Sequence, residues 1–215
     1  MPLDPKLLPS PAPLRRRTKA LAMTEAIVCP EWESRYYNFN AAWGPAEEMA
    51  PMRNGSGDDW FLLFTPAGAG IKGLDHETEL AGEKRLIEAV RQQVSTSLSV
   101  FLDEPAFGWD WMSYYYWTEA RDSVWHRVEH PDPKLASAKD GSDEFLALLL
   151  EPSSLYLEFA NWYYERSLPA AAVEANYRHA ALTPTLVAEL NPEASWEQVS
   201  ADAAEIGYPV PQGDA

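Results

Sequence analysis

The sequence contains a single cysteine, Cys29, so no disulfide can form within the chain and its fold must rest on a hydrophobic core. That usage points to the cytoplasm as the default compartment. No apolar run approaches the ~20 residues needed to cross a bilayer as a helix, and no membrane partner is expected. Cations are scarce: 17 Lys and Arg stand against 33 Asp and Glu, a formal net charge of −16. A surface that acidic repels nucleic acid and anionic membranes, which excludes both as partners. There is no fixed-period repeat, which argues against a solenoid. No Gly-x-Ser-x-Gly elbow, P-loop or dinucleotide fingerprint occurs, since Gly55-Ser56-Gly57 and Gly68-Ala69-Gly70 are too short and open no βα unit. No cofactor is therefore expected. Of the four histidines, His126 and His130 have a metal-like spacing only on a helix; on a strand they lie about 13 Å apart, and no metal site is assigned.

What is present suffices for one domain. The chain has 215 residues, 46% of them hydrophobic, which rules out disorder along its whole length. Nine Trp and ten Tyr exceed what a core needs, so some should lie on the surface, where these side chains favour contacts with partners. Charge is unevenly placed. Residues 1–23 hold Lys6, Arg15, Arg16, Arg17 and Lys19 against Asp4, a net of +4, which leaves −20 on residues 24–215. With proline at positions 2, 5, 9, 11 and 13, residues 1–22 read as an extended, disordered tail, or as a segment upstream of a start at Met23. A signal peptide is the weaker reading, because Lys19, Thr24 and Glu25 break the apolar run.

The most strongly punctuated stretch is Arg53–Glu77. Trp60–Thr65 is an apolar run of strand length between glycine-rich turns, and Ile71–Leu74 follows a five-residue Gly/Pro loop, which predicts a β-hairpin. Gly73 within the second strand predicts a bulge or the close approach of another backbone. In such a hairpin Arg53, Asp58 and Asp59 enter at the end where Asp75, His76 and Glu77 leave. These six residues are the candidate binding site; no catalytic residue is assigned. The same residues also read as ordinary turn chemistry, because strand ends are wet and carry charge.

Elsewhere the pattern is mixed. Pro45–Arg53 reads as a short helix opened by proline, after a weak strand at Tyr37–Ala41. Thr78–Leu102 carries Ile87, Val90, Val94, Leu98 and Phe101 on one stripe and predicts a long covering helix, with a weak point at Ser95–Ser99. Trp109–Thr118 and Val124–His130, around a turn at 119–122, predict a second hairpin. Residues 131–143 form a polar linker, and the remainder is helical, ending in a capping box at Ser195–Gln198 with Gly207 as the stop. The fold class is thus α+β: an antiparallel sheet built from hairpins, one long covering helix and a helical C-terminal layer, in a single domain over 23–207, with 208–215 frayed.

The run Arg53–Asp58, the apolar strand after it, Gly70–Glu77 and Glu104-Pro105-Ala106-Phe107 resemble a group of bacterial proteins of about this length for which no activity is established. The likeness spans most of residues 30–207. It implies a bacterial, intracellular protein and assigns no site residue.

The charge, the surplus aromatics and the missing catalytic constellation together point to a non-catalytic acidic protein-binding module, such as an immunity-type inhibitor of a basic toxin or nuclease. The alternative is a small hydrolase or transferase at the charged end of the first hairpin, with Arg53 on an anionic group and Asp58, Asp75, His76 or Glu77 as acid–base groups. The sequence does not fix an oligomeric state.

Overall fold

A computed structural model describes residues 1–121, 124–150 and 152–210. Its centre is a six-stranded antiparallel meander in which each strand pairs with the next: β1 (Asn40–Gly44), β2 (Glu47–Arg53), β3 (Asp59–Thr65), β4 (Gly68–Leu74), β5 (Tyr114–Glu119) and β6 (His126–Arg127). Both faces of the sheet are covered, which is why its central strands read as apolar runs rather than as alternation. Ala50, Met52, Trp60, Leu62, Phe64, Ile71, Tyr114 and Tyr116 face one helical layer. Met49, Phe61, Leu63 and Tyr115 face another, built from helix α2 (Lys84–Gln93) and the segments that follow it.

The α+β architecture is the one the sequence predicts, but its largest helix lies elsewhere. Helix α1, Pro11–Val28, is the longest, and residues 20–28 are all buried. It packs on helices Ala170–Tyr177, Pro184–Leu190 and Trp196–Ile206. The expectation of a disordered tail at 1–22 is overturned, since Pro11 and Pro13 fall in the first helical turn, where a proline forfeits no hydrogen bond. The basic residues are absorbed too: Arg15 and Lys19 pair with Glu48 on β2 at 2.6 and 2.8 Å, and Arg17 donates to the Leu149 carbonyl at 2.5 Å. The cationic segment thus packs on the acidic body.

Other expectations are corrected as well. Of residues 45–53, expected as a helix, 45–46 form the turn after β1 and 47–53 form β2, because β2 finds β1 on one side and β3 on the other, and Pro51 blocks helix propagation. The covering helix is broken: α2 ends at Gln93, a 3-10 turn spans Thr96–Leu98, and one more turn spans Ser99–Leu102. The break falls in the Ser-Thr-Ser run, where Ser95 and Ser97 bond each other's hydroxyls at 2.9 Å. Glu83, not Thr78, caps α2. The first hairpin turns through Pro66-Ala67 alone, with Thr65 opposite Gly68. No bulge occurs at Gly73; a Cβ there would lie 1.9 Å from the Tyr114 ring, so an aromatic side chain, not a backbone, demands the glycine.

At the chain's end, Thr183 and Ser195 cap their helices and Gly207 (φ +65°) stops the last one. Tyr208, expected to fray, is buried and donates to the carbonyls of Asn176 and Ala180. Residues 211–215 of that expected tail, and residue 122 of the expected turn, lie outside the described residues. No described helix is long and apolar enough to cross a membrane.

Candidate functional site

Two concave surfaces bring charged and aromatic side chains together. The first lies where β2 ends, β3 begins and β4 ends. In that register Arg53, Asp59 and Leu74 are opposite one another, and Phe61 is opposite Lys72, so all five share one face of the sheet. Residues 106–108 roof them and Trp111, 59% exposed, stands on the rim. The cleft so formed measures about 530 Å³.

Only part of the expected constellation meets there. Arg53, Asp59 and His76 line the cleft. Asp58 stands behind His76: it accepts from the His76 backbone N–H at 2.9 Å, holds His76 Nδ1 at 2.6 Å and accepts from Asn54 Nδ2 at 2.5 Å. Partial burial pushes the Asp58 carboxyl up, but these hydrogen bonds together outweigh it and hold the group below the ordinary aspartate range. The Asp58 hydrogen bond in turn raises the His76 imidazole above its usual value. Asp75 and Glu77 turn away. Asp75 is buried against Gly141, its carboxylate accepting from the Glu77 backbone N–H at 3.1 Å, and both residues line a separate hollow with Thr78, Glu79 and Lys139.

Sequence reasoning missed Lys72. Its side chain is only 1% exposed and its ammonium bonds Asp59 Oδ1 at 2.9 Å. Desolvation lowers the lysine and raises the aspartate, in each case against the attraction of the partner, so burial pushes both toward neutrality. The available signal was a single charge inside Gly70-Ile71-Lys72-Gly73-Leu74, a position that must be paired once the strand is central.

The second surface is a groove of about 380 Å³ between the Tyr36–Tyr37 segment and helix Ser153–Tyr163. Its walls are aromatic. Tyr36 meets Phe159 edge-on at 4.8 Å and Tyr163 at 5.2 Å, Phe159 stacks on Tyr163 at 5.4 Å, and Trp162, 77% exposed, stands beside them. Its charged lining residues are of one sign, Glu144 and Glu158, both exposed. Burial and the neighbouring Tyr163, Asp58, Glu144 and Glu25 push the Tyr36 hydroxyl up to about 12. The sequence signal was Asn161-Trp162-Tyr163-Tyr164, where consecutive aromatics on a helix cannot all face inward.

The other histidine pair does not converge. His126 packs on Trp117 at 5.1 Å between ring centroids, whereas His130 is buried and bonds Glu83 Oε2 at 2.8 Å. Among the described residues no group of three or more His, Cys, Asp and Glu is placed to hold a metal ion. Comparison of the chain with protein-family models, with curated proteins and with solved structures gives no match.

Proposed function

We propose that the protein is a non-catalytic, acidic protein-binding module of the cytoplasm, an immunity-type inhibitor that caps a basic toxin or nuclease. The observation that carries this reading is the Tyr36–Phe159–Trp162 groove, whose lining charges are both carboxylates. An arginine or lysine entering it meets aromatic faces for cation–π contact and the Glu158 carboxylate for charge pairing, with Glu144, which also holds Lys139 at 3.3 Å, beside it. The net charge of −16 steers such a partner from a distance. A large exposed indole beside packed aromatic rings is also the composition of an interface anchor.

The test is affinity capture at low ionic strength by the wild-type protein and by Trp162→Ala and Glu158→Lys. Support is a basic protein held by the wild type, released by salt, lost by both variants, and rendered harmless in cells by co-expression. Equal capture by all three proteins, or none by any, ends the proposal.

A second reading is favoured by the Asp58–His76 pair, which orients an exposed imidazole at the cleft as a general base is oriented. In it the protein is a small hydrolase or transferase, Arg53 holds an anionic group and His76 moves the proton. Turnover of ester or phosphoester substrates that disappears in His76→Ala supports it, and turnover that survives the substitution removes it.

A further inference from the structure

We propose that the cleft beside Arg53 and Lys72 is a receptor for a small aromatic monocarboxylate. The inference rests on the cleft of the second reading and holds whether or not the bound molecule is turned over.

Lys72 lies at the floor with three N–H donors, and among the described residues its hydrogen-bond partner is Asp59 Oδ1. The remaining donors belong to a side chain buried in the cleft wall. Arg53, at the mouth, stands opposite Asp59 in the strand register and its charge pulls on that carboxylate, but among the described residues it forms no ion pair with it. Its guanidinium lies 5.4 Å from the centre of the Phe61 ring, the same distance as the Lys72 ammonium from that ring. Two cations thus flank one aromatic ring, and between them they hold more donors than Asp59 can occupy. An arginine so placed offers a planar fork that fits a carboxylate in a bidentate manner.

The rest of the lining decides what the anion must carry. Phe61, Leu74, Ala106, Phe107 and Trp111 make the walls apolar, and about 530 Å³ is ample for one or two fused rings. Asp59 in the wall and a net charge of −16 disfavour a dianion such as phosphate, so the ligand needs one negative charge and apolar area to offset that field. An aryl carboxylate meets both requirements, its carboxylate on Arg53 and its ring against Trp111 and Ala106.

The experiment is an NMR titration of the full chain with 2-naphthoate, following the Arg53 Nε–H and Trp111 Nε1–H signals, with inorganic phosphate and 2-naphthylmethylamine as comparisons. The expected result is saturable shifts of both signals with 2-naphthoate and none with the other two at equal concentration. Arg53→Ala, a change at an exposed side chain that leaves the fold intact, should weaken binding tenfold or more. Lys72→Met should weaken it as well. No shift with 2-naphthoate, unchanged binding in Arg53→Ala, or equal binding of phosphate overturns the proposal. Because the readout is binding alone, its failure is separable from an absence of turnover.

Discussion

Tyr156 donates its hydroxyl to Glu25 Oε1 at 2.7 Å, joining helix α1 to the helix that carries Trp162. The other carboxylate oxygen accepts from the Tyr164 hydroxyl and, at 2.9 Å, from the Tyr36 backbone N–H. One buried carboxylate therefore ties the first helix to both walls of the aromatic groove. Desolvation raises the Glu25 pKa against the pull of these hydrogen bonds. Glu25→Ala would orphan two tyrosine hydroxyls and should cost about 3 kcal/mol in chemical denaturation. A raised carboxyl binds protons more tightly in the folded state. Its effect is thus most favourable at low pH and declines as pH climbs from the ordinary glutamate value of about 4.3 through the folded value. Glu25→Gln should remove that component of the pH dependence; an unchanged slope would count against it.

Deleting residues 1–22 should abolish cooperative folding. Leu14 and Leu21 are wholly buried, and their loss alone removes about 4 kcal/mol of burial before the cavity is counted. A sharp, wild-type-like thermal transition in the truncated protein would show that α1 is dispensable.

Gly73→Ala should destabilise by about 1–3 kcal/mol, because the new methyl meets the Tyr114 ring. Combining it with Tyr114→Leu should cost less than the sum of the two single changes, as a double-mutant cycle reads directly.

Lys72→Met should cost about 3 kcal/mol by leaving Asp59 without its partner in a site that is only 27% exposed. Adding Asp59→Asn should recover most of that loss. If the double variant is no better than the single one, the pair is not coupled as its 2.9 Å geometry requires.

Asp58→Asn should bring the His76 pKa down toward the ordinary value near 6.5, measured by NMR of the ring protons. In the wild type the folded value lies above the unfolded one. The interaction therefore supports the fold fully below about pH 6.5 and is lost as pH rises through the folded value. A His76 titration identical in both proteins would deny the hydrogen bond its role.

The sequence registers the candidate cleft only in part. Asp59 and His76 converge because an antiparallel hairpin brings its two open ends together, which turn residues foretell, whereas Arg53 is set opposite Asp59 by β2, a strand that the sequence reads as a helix. Only proximity along the chain groups Asp75 and Glu77 with them. The strand's end, however, lets Asp75 turn in against Gly141, whose lack of a Cβ admits the approach, since one there would lie 2.3 Å from Asp75 Cβ, and whose position in the chain gives no hint of it. Lys72 and Trp111 join the cleft through register and roofing, which are long-range relationships.

The amino-acid sequence by itself determined a hairpin of strands through Trp60–Thr65 and Ile71–Leu74, the helix caps at Thr183 and Ser195, the stop at Gly207 and the weak point after Gln93, because each follows from the backbone preferences of a few adjacent residues. Only the tertiary structure decided that residues 11–28 are the central helix of one layer, that 47–53 are a strand, and where Glu25, Lys72 and Trp162 stand. The reason is that burial and strand pairing are set by partners far along the chain. A proline-rich start is compatible with either a loose tail or a helix, until an apolar surface is present to receive it.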